Sequence, residues 1–151
     1  MKIRWLLLSL ALALGAALAA VVFSGQPGET SQGLSRRIVA WLFGLFGREP
    51  TPEVMETVNY FLRRGAHLFL YFCMGLGLCG AFQWQKKLPA WLPAMGAGVL
   101  FAATDEYHQL FAGGRTGKPG DVLLDSCGLL AGCLAAYGLR RLWEKGGRRQ
   151  P

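Results

Sequence analysis

Charge is scarce in this sequence of 151 residues: 17% of the residues are charged, whereas 52% are hydrophobic. A soluble domain of this size carries about 25% charged residues, because a small globule has much surface to cover. The composition therefore argues against a soluble protein with a single core. The 21 glycines are also too many for a soluble helical bundle, but they suit close helix packing in lipid.

Motifs for catalysis and metal binding are missing as well. The sequence contains no HExxH, no P-loop and no nucleophile elbow, so no motif specifies a reaction. The cysteines form two pairs whose members are six residues apart inside apolar runs, which is not the spacing of a zinc or redox pair. They are predicted to be small buried hydrophobic residues.

The apolar residues are concentrated in four runs, at residues 5–23, 65–84, 91–104 and 122–143. The first run is favoured as an uncleaved helix over a signal peptide, because it is long enough to cross a hydrocarbon core of ~30 Å. The third has 14 residues, which at ~1.5 Å each is too short, so its helix must continue into residues 105–110 to cross. The sequence predicts an all-α membrane bundle of four transmembrane helices.

An additional amphipathic helix is predicted between the first two spans, either in the outer membrane interface or as a cap over the bundle. Its apolar stripe recurs at helical spacing and comprises Leu34, Ile38, Val39, Leu42, Leu45 and Phe46. The predicted organisation is a first transmembrane helix at 1–23, an extracytoplasmic loop with the amphipathic helix at 24–62, a core of three transmembrane helices at 63–143, and a basic tail at 144–151.

The charges are distributed unevenly along this path. The side that holds both termini and the connection after residue 84 carries nine of the 16 basic residues and one acid, Glu144. The other side carries the remaining eight acids. By the positive-inside rule, both termini are predicted to be cytoplasmic. The net charge of +7 thus reports membrane topology, and we do not expect nucleic-acid binding.

Three groups of polar residues lie at the predicted outer ends of the spans. Arg64, His67 and Tyr71 are spaced three and four apart, so they share one face of the second span. Arginines at a span boundary also reach lipid phosphates, so Arg64 alone does not define a site.

The second group ends the third span. Asp105, His108 and Gln109 are predicted to face one way, with Glu106 about 100° around the helix. An ionised carboxylate at mid-membrane costs ~2.5 to 3.5 kcal/mol, so two adjacent acids need partners or water. Solvation at the helix end is the structural alternative, but crowding with a histidine favours a site.

The third group follows a glycine-rich loop that holds Arg115. Asp121 can cap the fourth span, whereas Asp125 lies one turn inside the helix, where capping does not explain it. Asp125 also begins a stripe with Gly128 and Gly132 that allows another helix to approach closely. The approaching helix is the second or the third span, and the pattern does not distinguish them.

Together the three groups offer proton or metal chemistry and anion binding. The hypothesised catalytic residues are His67, Asp105, Glu106, His108 and Asp121. The hypothesised ligand-binding residues are Arg64, Tyr71, Gln109, Arg115 and Asp125, because arginine holds phosphate or carboxylate through two hydrogen bonds. In the structural alternative, the same groups pair with one another. The residues identify no metal and no cofactor, and they do not decide whether the cluster is catalytic.

The arrangement resembles the VanZ-like family of small multi-pass bacterial membrane proteins. The resemblance covers roughly residues 35–140 and rests on residues 63–67, Tyr71, Leu76, residues 104–111, Gly114-Arg115, and Asp121 to Asp125 with the glycines that follow. It implies a bacterial plasma (inner) membrane and an association with resistance to glycopeptide antibiotics, chiefly teicoplanin. Many members carry a glutamate where this chain has Leu70, so any activity that needs that acid is lost here or uses another carboxylate.

Three functional hypotheses follow. In the first, the outer polar cluster binds or modifies an envelope component, and its partners are the lipid bilayer and a lipid-linked envelope precursor or anionic lipid. In the second, the chain is a structural or partner-binding membrane module without catalysis. The third is a small transporter subunit, for which four short spans leave little room unless the protein forms an oligomer.

Overall fold

The computed structural model describes residues 2–83, 88–111 and 118–147, and these residues form five helices and no strand. The helices are α1 (Lys2–Ser24), α2 (Gly28–Gly44), α3 (Pro52–Phe82), α4 (Trp91–Gln109) and α5 (Pro119–Gly147). The prediction of an all-α fold is therefore confirmed for the described part of the chain.

Helix α3 begins well before the second apolar run. Thr51 caps it, with its hydroxyl accepting a hydrogen bond from the Val54 amide at 3.4 Å, and Pro52 occupies the first turn, where its missing N–H costs nothing. Gly47 has φ of 63°, a left-handed conformation that suits the turn after α2. Residues 24–62 contain α2, at the position of the predicted amphipathic helix, and the first turns of α3.

Helices α1 and α4 run in one direction, and α3 and α5 run in the other. At one end, the rings of Trp5 and Trp143 have centroids 4.9 Å apart, so the start of α1 meets the end of α5. At the opposite end, the Ser24 hydroxyl donates to Asp105 at 2.5 Å and joins the last turns of α1 and α4. The two ends of the described chain, residues 2 and 147, therefore lie at one end of the bundle, which is called the terminal end below.

Among the described residues, three helices are long and apolar enough to cross a membrane: Ile3–Ser24, Pro52–Phe82 and Pro119–Lys145. Helix α4 is not among them, since it ends on the polar residues 105–109. Three of the four predicted spans therefore coincide with membrane-compatible helices, and a fourth crossing stays a prediction.

Small residues bring α5 against α3. A Cβ on Gly128 would lie 2.6 Å from the Leu68 carbonyl oxygen, and one on Gly132 would collide with the Phe72 carbonyl oxygen. The glycine stripe of α5 therefore faces α3, the second predicted span, which answers the question that the spacing left open. Gly75 of α3 lies equally close to the α5 backbone at Leu129.

The cysteines are all free, as far as the described residues extend. Cys79 and Cys133 are buried, as predicted, in an apolar cluster with Ala94. Cys127 is exposed and Cys73 is partly exposed, so burial was predicted correctly for one member of each pair.

Helix α2 lies against α3 through an ion pair between Arg36 and Glu56. Val39 is fully buried, whereas the other apolar residues of its stripe are exposed: Leu34, Ile38, Leu42, Leu45 and Phe46. The stripe therefore projects largely away from the bundle, as expected of a helix that contacts lipid.

Candidate functional site

A polar cavity of about 370 Å³ lies opposite the terminal end of the bundle, between α2, α3, α4 and α5. Its ionisable lining residues are Glu56, Arg63, Arg64, His67, Glu106, Lys118, Asp121 and Asp125. Gly28, Gln32, Asn59, Tyr60, Gln109 and Leu124 complete the lining. The cavity thus contains most of the polar residues that the sequence singled out.

One ion pair and one histidine–carboxylate contact link α3 and α5 at the cavity. The Arg64 guanidinium donates to Asp121 at 2.7 Å, and both side chains are about one-third exposed. His67 Nδ1 lies 3.9 Å from Asp125 Oδ1. The Asp125 side chain is almost fully buried, whereas that of His67 is partly exposed. A histidine backed by a buried carboxylate is suited to accepting and releasing a proton.

The last turns of α4 contribute buried carboxylates. Asp105 accepts hydrogen bonds from the Ser24 hydroxyl at 2.5 Å and from the Gln109 side-chain amide at 3.3 Å. Glu106 accepts a hydrogen bond from the backbone amide of Lys118 at 2.5 Å. These bonds supply the partners that carboxylates need away from water, and they hold α4 to α1 and to the start of α5.

His108 does not join this group, contrary to the predicted facing. The buried face of α4 is centred between Asp105 and Glu106 and includes Gln109, so His108 lies on the other side and is exposed. Its ring lies beside Gly25, in the turn after α1. The prediction was wrong because it centred the helix face on Asp105 and His108, whereas packing rotates Glu106 inwards.

Tyr71 lies beneath the cavity and does not line it. The side chain is fully buried, and its hydroxyl lies near the carboxyl groups of Asp105, Asp125 and Glu106. The rings of His67 and Tyr71 are nearly parallel, with centroids 6.5 Å apart. Tyr71 therefore supports the buried carboxylates and His67 from below.

Several cavity residues were not predicted from the sequence. Glu56, Asn59 and Arg63 lie on the part of α3 that precedes the apolar run, and Gln32 lies on α2. Continuing the stripe of Arg64 and His67 towards the N-terminus by steps of three and four would have pointed to this segment. No signal marked Ser24, which looks like the ordinary end of an apolar run.

The described residues form no candidate metal centre. In the described ranges, no group of three or more His, Cys, Asp or Glu side chains lies close enough together to hold a metal ion. Arg115, the other predicted anion-binding residue, lies outside the described residues.

The acidic and basic side chains that line the cavity differ in whether they have an ion-pair or hydrogen-bond partner. Each of its four carboxylates has a partner: Arg36 for Glu56, Arg64 for Asp121, His67 for Asp125, and the Lys118 amide for Glu106. In contrast, no carboxylate of the described residues forms an ion pair with Arg63 or with the Lys118 side chain. Arg63 and the Lys118 side chain are therefore the two basic groups of the lining that are left to contact an anionic ligand.

Comparison with known protein families gives a match. A family model described as VanZ/LLP1 matches residues 7–141, which includes all five helices except the ends of the first and last. Neither the curated proteins nor the solved structures give a significant match.

Proposed function

The chain belongs to the VanZ/LLP1 family, and on that premise we propose that its cavity binds an anionic group of a cell-envelope component. The host membrane in this proposal is the bacterial plasma (inner) membrane. The observation that carries the proposal is the difference between the acids and bases of the lining: each carboxylate has an ion-pair or hydrogen-bond partner, whereas Arg63 and Lys118 form no ion pair with any described carboxylate. A lipid-linked precursor or an anionic lipid would supply the anion.

The assignment of the anion-binding residue changes with the structure. Arg64 and Arg115 were predicted to hold the anion, but Arg64 is paired with Asp121, and Arg115 lies outside the described residues. Arg63 is half-buried, lines the same cavity and has no such partner within the described chain. In the proposal, Arg63 therefore contacts the anion, and Arg64 holds α5 in place.

The proposed orientation puts the cavity on the outer face. Arg4, Arg140, Arg141 and Lys145 lie at the terminal end of the bundle. Basic residues of this kind favour the cytoplasmic side. The cavity at the other end would then face lipid-linked wall precursors and glycopeptides, which accords with an association of the family with teicoplanin resistance.

Modification of the bound component is a separate step of the proposal, and His67 with Asp125 is the pair suited to it. His67→Gln keeps a polar side chain but removes the group that takes up a proton at neutral pH. If the pair acts in proton transfer, this variant should bind the anion normally and lose the phenotype. If the variant loses both anion binding and the phenotype, His67 has a role in binding and not in proton transfer.

The proposal is tested by replacing Arg63 in cells that express the chain. We expect Arg63→Gln to be present in membranes at the normal level and to lose any decrease in teicoplanin susceptibility that the unmodified chain confers. Arg37→Gln is the matched control, because Arg37 is an exposed arginine of α2 that does not line the cavity. Equal activity of the two variants would refute the proposal.

A structural module is the second candidate, and the interhelical bonds favour it. Ser24 to Asp105 joins α1 and α4, Arg64 to Asp121 joins α3 and α5, and Arg36 to Glu56 joins α2 and α3. If these contacts have a structural role alone, abundance and phenotype should fall in parallel in every cavity variant. Normal abundance with a lost phenotype in Arg63→Gln would exclude this reading.

A further inference from the structure

A groove of about 600 Å³ lies at the terminal end of the bundle and is lined by residues of α1, α3 and α5. Trp5 and Trp143, whose rings meet at that end, are both part of its lining. Its volume is within the range of ~300–1,000 Å³ that is usual for small-molecule sites. Among the described residues, the linings of the groove and of the polar cavity share no member. The groove is therefore a separate feature of the molecule.

The lining of the groove changes from apolar to polar towards the terminal end. Leu12 and Leu76 line its deep part, whereas Gln83 and Arg140 line it nearer to that end. Seven residues separate Leu12 from Trp5 on α1, so at ~1.5 Å per residue the groove extends about 10 Å along the helix. One leaflet accounts for half of a hydrocarbon core of ~30 Å, so a groove of this length fits within a single leaflet. An amphiphile with its tail in the deep part matches this gradient.

The contact between Trp5 and Trp143 limits what can enter the groove. Their ring centroids are 4.9 Å apart, whereas a helix with its side chains is ~10 Å across. A helix of a partner protein is therefore too wide to lie between α1 and α5 at this end. An acyl chain is a single row of methylene groups and can lie along the groove beside the indoles. Tryptophan is also typical of the depth at which lipid headgroups begin.

The charge at the terminal end indicates which headgroup fits. Arg140 lines the groove, and its Nε atom donates to Glu144 at 2.8 Å. That bond engages one of the five N–H donors of the guanidinium. Arg4, Arg141 and Lys145 lie at the same end, so basic residues outnumber acidic ones among the described residues there. Basic pockets between transmembrane helices are suited to anionic lipid headgroups.

We propose that this groove is a binding site for one anionic phospholipid. An acyl chain lies along Leu12 and Leu76, and the phosphate group of the lipid contacts the Arg140 guanidinium. Burial of the chain supplies affinity, and the charge-assisted contact supplies the preference for an anionic headgroup. The site is separate from the polar cavity and does not depend on the proposed function. With both termini in the cytoplasm, the lipid belongs to the inner leaflet.

Tryptophan fluorescence tests the proposal, because Trp5 and Trp143 line the groove. The full chain, with the other three tryptophans, Trp41, Trp84 and Trp91, replaced by phenylalanine, is reconstituted in vesicles of phosphatidylglycerol and phosphatidylcholine. Bromine on the acyl chains of one lipid at a time quenches a tryptophan that this lipid contacts. We expect phosphatidylglycerol to bind about 5-fold more tightly than phosphatidylcholine, since one basic residue at a membrane surface contributes about 1 kcal/mol.

Three variants make the test specific to the groove. Arg140→Gln should remove the preference for phosphatidylglycerol. Arg141→Gln is the matched control, because Arg141 is the next residue of the same helix, is also exposed and does not line the groove. It should retain the preference. Glu144→Gln removes the acid beside Arg140 and should raise the preference about 2-fold, a gain that a misfolded variant would not show.

Three outcomes would overturn the proposal. The first is equal quenching by the two brominated lipids when Arg140 and Glu144 are unchanged. The second is equal loss of the preference in Arg140→Gln and Arg141→Gln, which would assign it to general surface charge. The third is quenching that falls as the ratio of protein to lipid is raised, which would place a second copy of the chain on the groove.

A second measurement keeps the proposal testable if the tryptophan replacements reduce helical circular dichroism. The chain with its native tryptophans is purified in detergent, and the phospholipids that it retains are identified by mass spectrometry. Phosphatidylglycerol should be enriched relative to the membrane in the unmodified chain and in Arg141→Gln, but not in Arg140→Gln. Retained lipid of the same composition as the membrane in all three would refute the site.

Discussion

Replacing Gly128 by alanine perturbs the close contact between α3 and α5 beside the cavity. A Cβ at this position would lie 2.6 Å from the Leu68 carbonyl oxygen and 3.2 Å from Tyr71 Cβ, whereas ordinary contact begins at 3.4 Å. The nearest atom belongs to the backbone and cannot rotate away, so the helices must separate by several tenths of an ångström. Overpacking of this kind costs about 1–3 kcal/mol of unfolding free energy.

The matched control is Gly138→Ala on the same helix, where an added Cβ would meet nothing within 4 Å. Both substitutions gain helix propensity of about 1 kcal/mol or less, so the difference between the variants isolates the overpacking cost. We expect Gly128→Ala to be less stable than Gly138→Ala by about 1–3 kcal/mol.

The assay is unfolding of the purified chain by titration with sodium dodecyl sulfate, followed by loss of helical circular dichroism. Equal unfolding free energies for the two alanine variants would refute the close approach of α3 and α5 at Gly128. A difference of the expected sign, with normal membrane abundance, would support the packing that places Asp125 beside His67.

The remaining predictions concern α1 and the topology. Ser24→Ala leaves the buried Asp105 without its 2.5 Å hydrogen bond and should lower the unfolding free energy by about 1–3 kcal/mol. Ser126→Ala, which removes a bond to the carbonyl of its own helix, should change it by about 0.5 kcal/mol or less, and equal effects would contradict a special role for Ser24. In a variant without native cysteines, a cysteine at Glu49 should react with an impermeant maleimide in intact cells, and one at Lys145 should not. The opposite labelling pattern would overturn the proposed orientation.

The helices were largely predictable from the sequence, since long apolar runs separated by glycine, proline and charge have few other solutions in lipid. The runs at 5–23, 91–104 and 122–143 lie within α1, α4 and α5, and residues 65–82 of the second run lie within α3. The helix boundaries were less predictable: α3 begins at Pro52, because the capping signal of Thr51 lies in a polar stretch that the hydropathy pattern excluded. A local cap can start a helix outside the apolar run.

The site was predictable in part. Arg64, His67, Glu106, Asp121 and Asp125 line one cavity. Helical spacing placed Arg64 and His67 on one face, and they do meet carboxylates of α5. The partners could not be predicted, because the choice between ion pairing and ligand binding depends on distances between helices.

Composition and periodicity determine, without any structure, that this chain forms apolar helices with polar residues gathered at one end. That conclusion needs nothing beyond the cost of placing charge and unpaired backbone in lipid. The sequence does not determine how each helix is rotated about its own axis, because that rotation depends on which small residues pack against which neighbouring helix. Packing turns Glu106 inwards and His108 outwards, pairs Arg64 with Asp121, and leaves Arg63 without an ion pair to any described carboxylate.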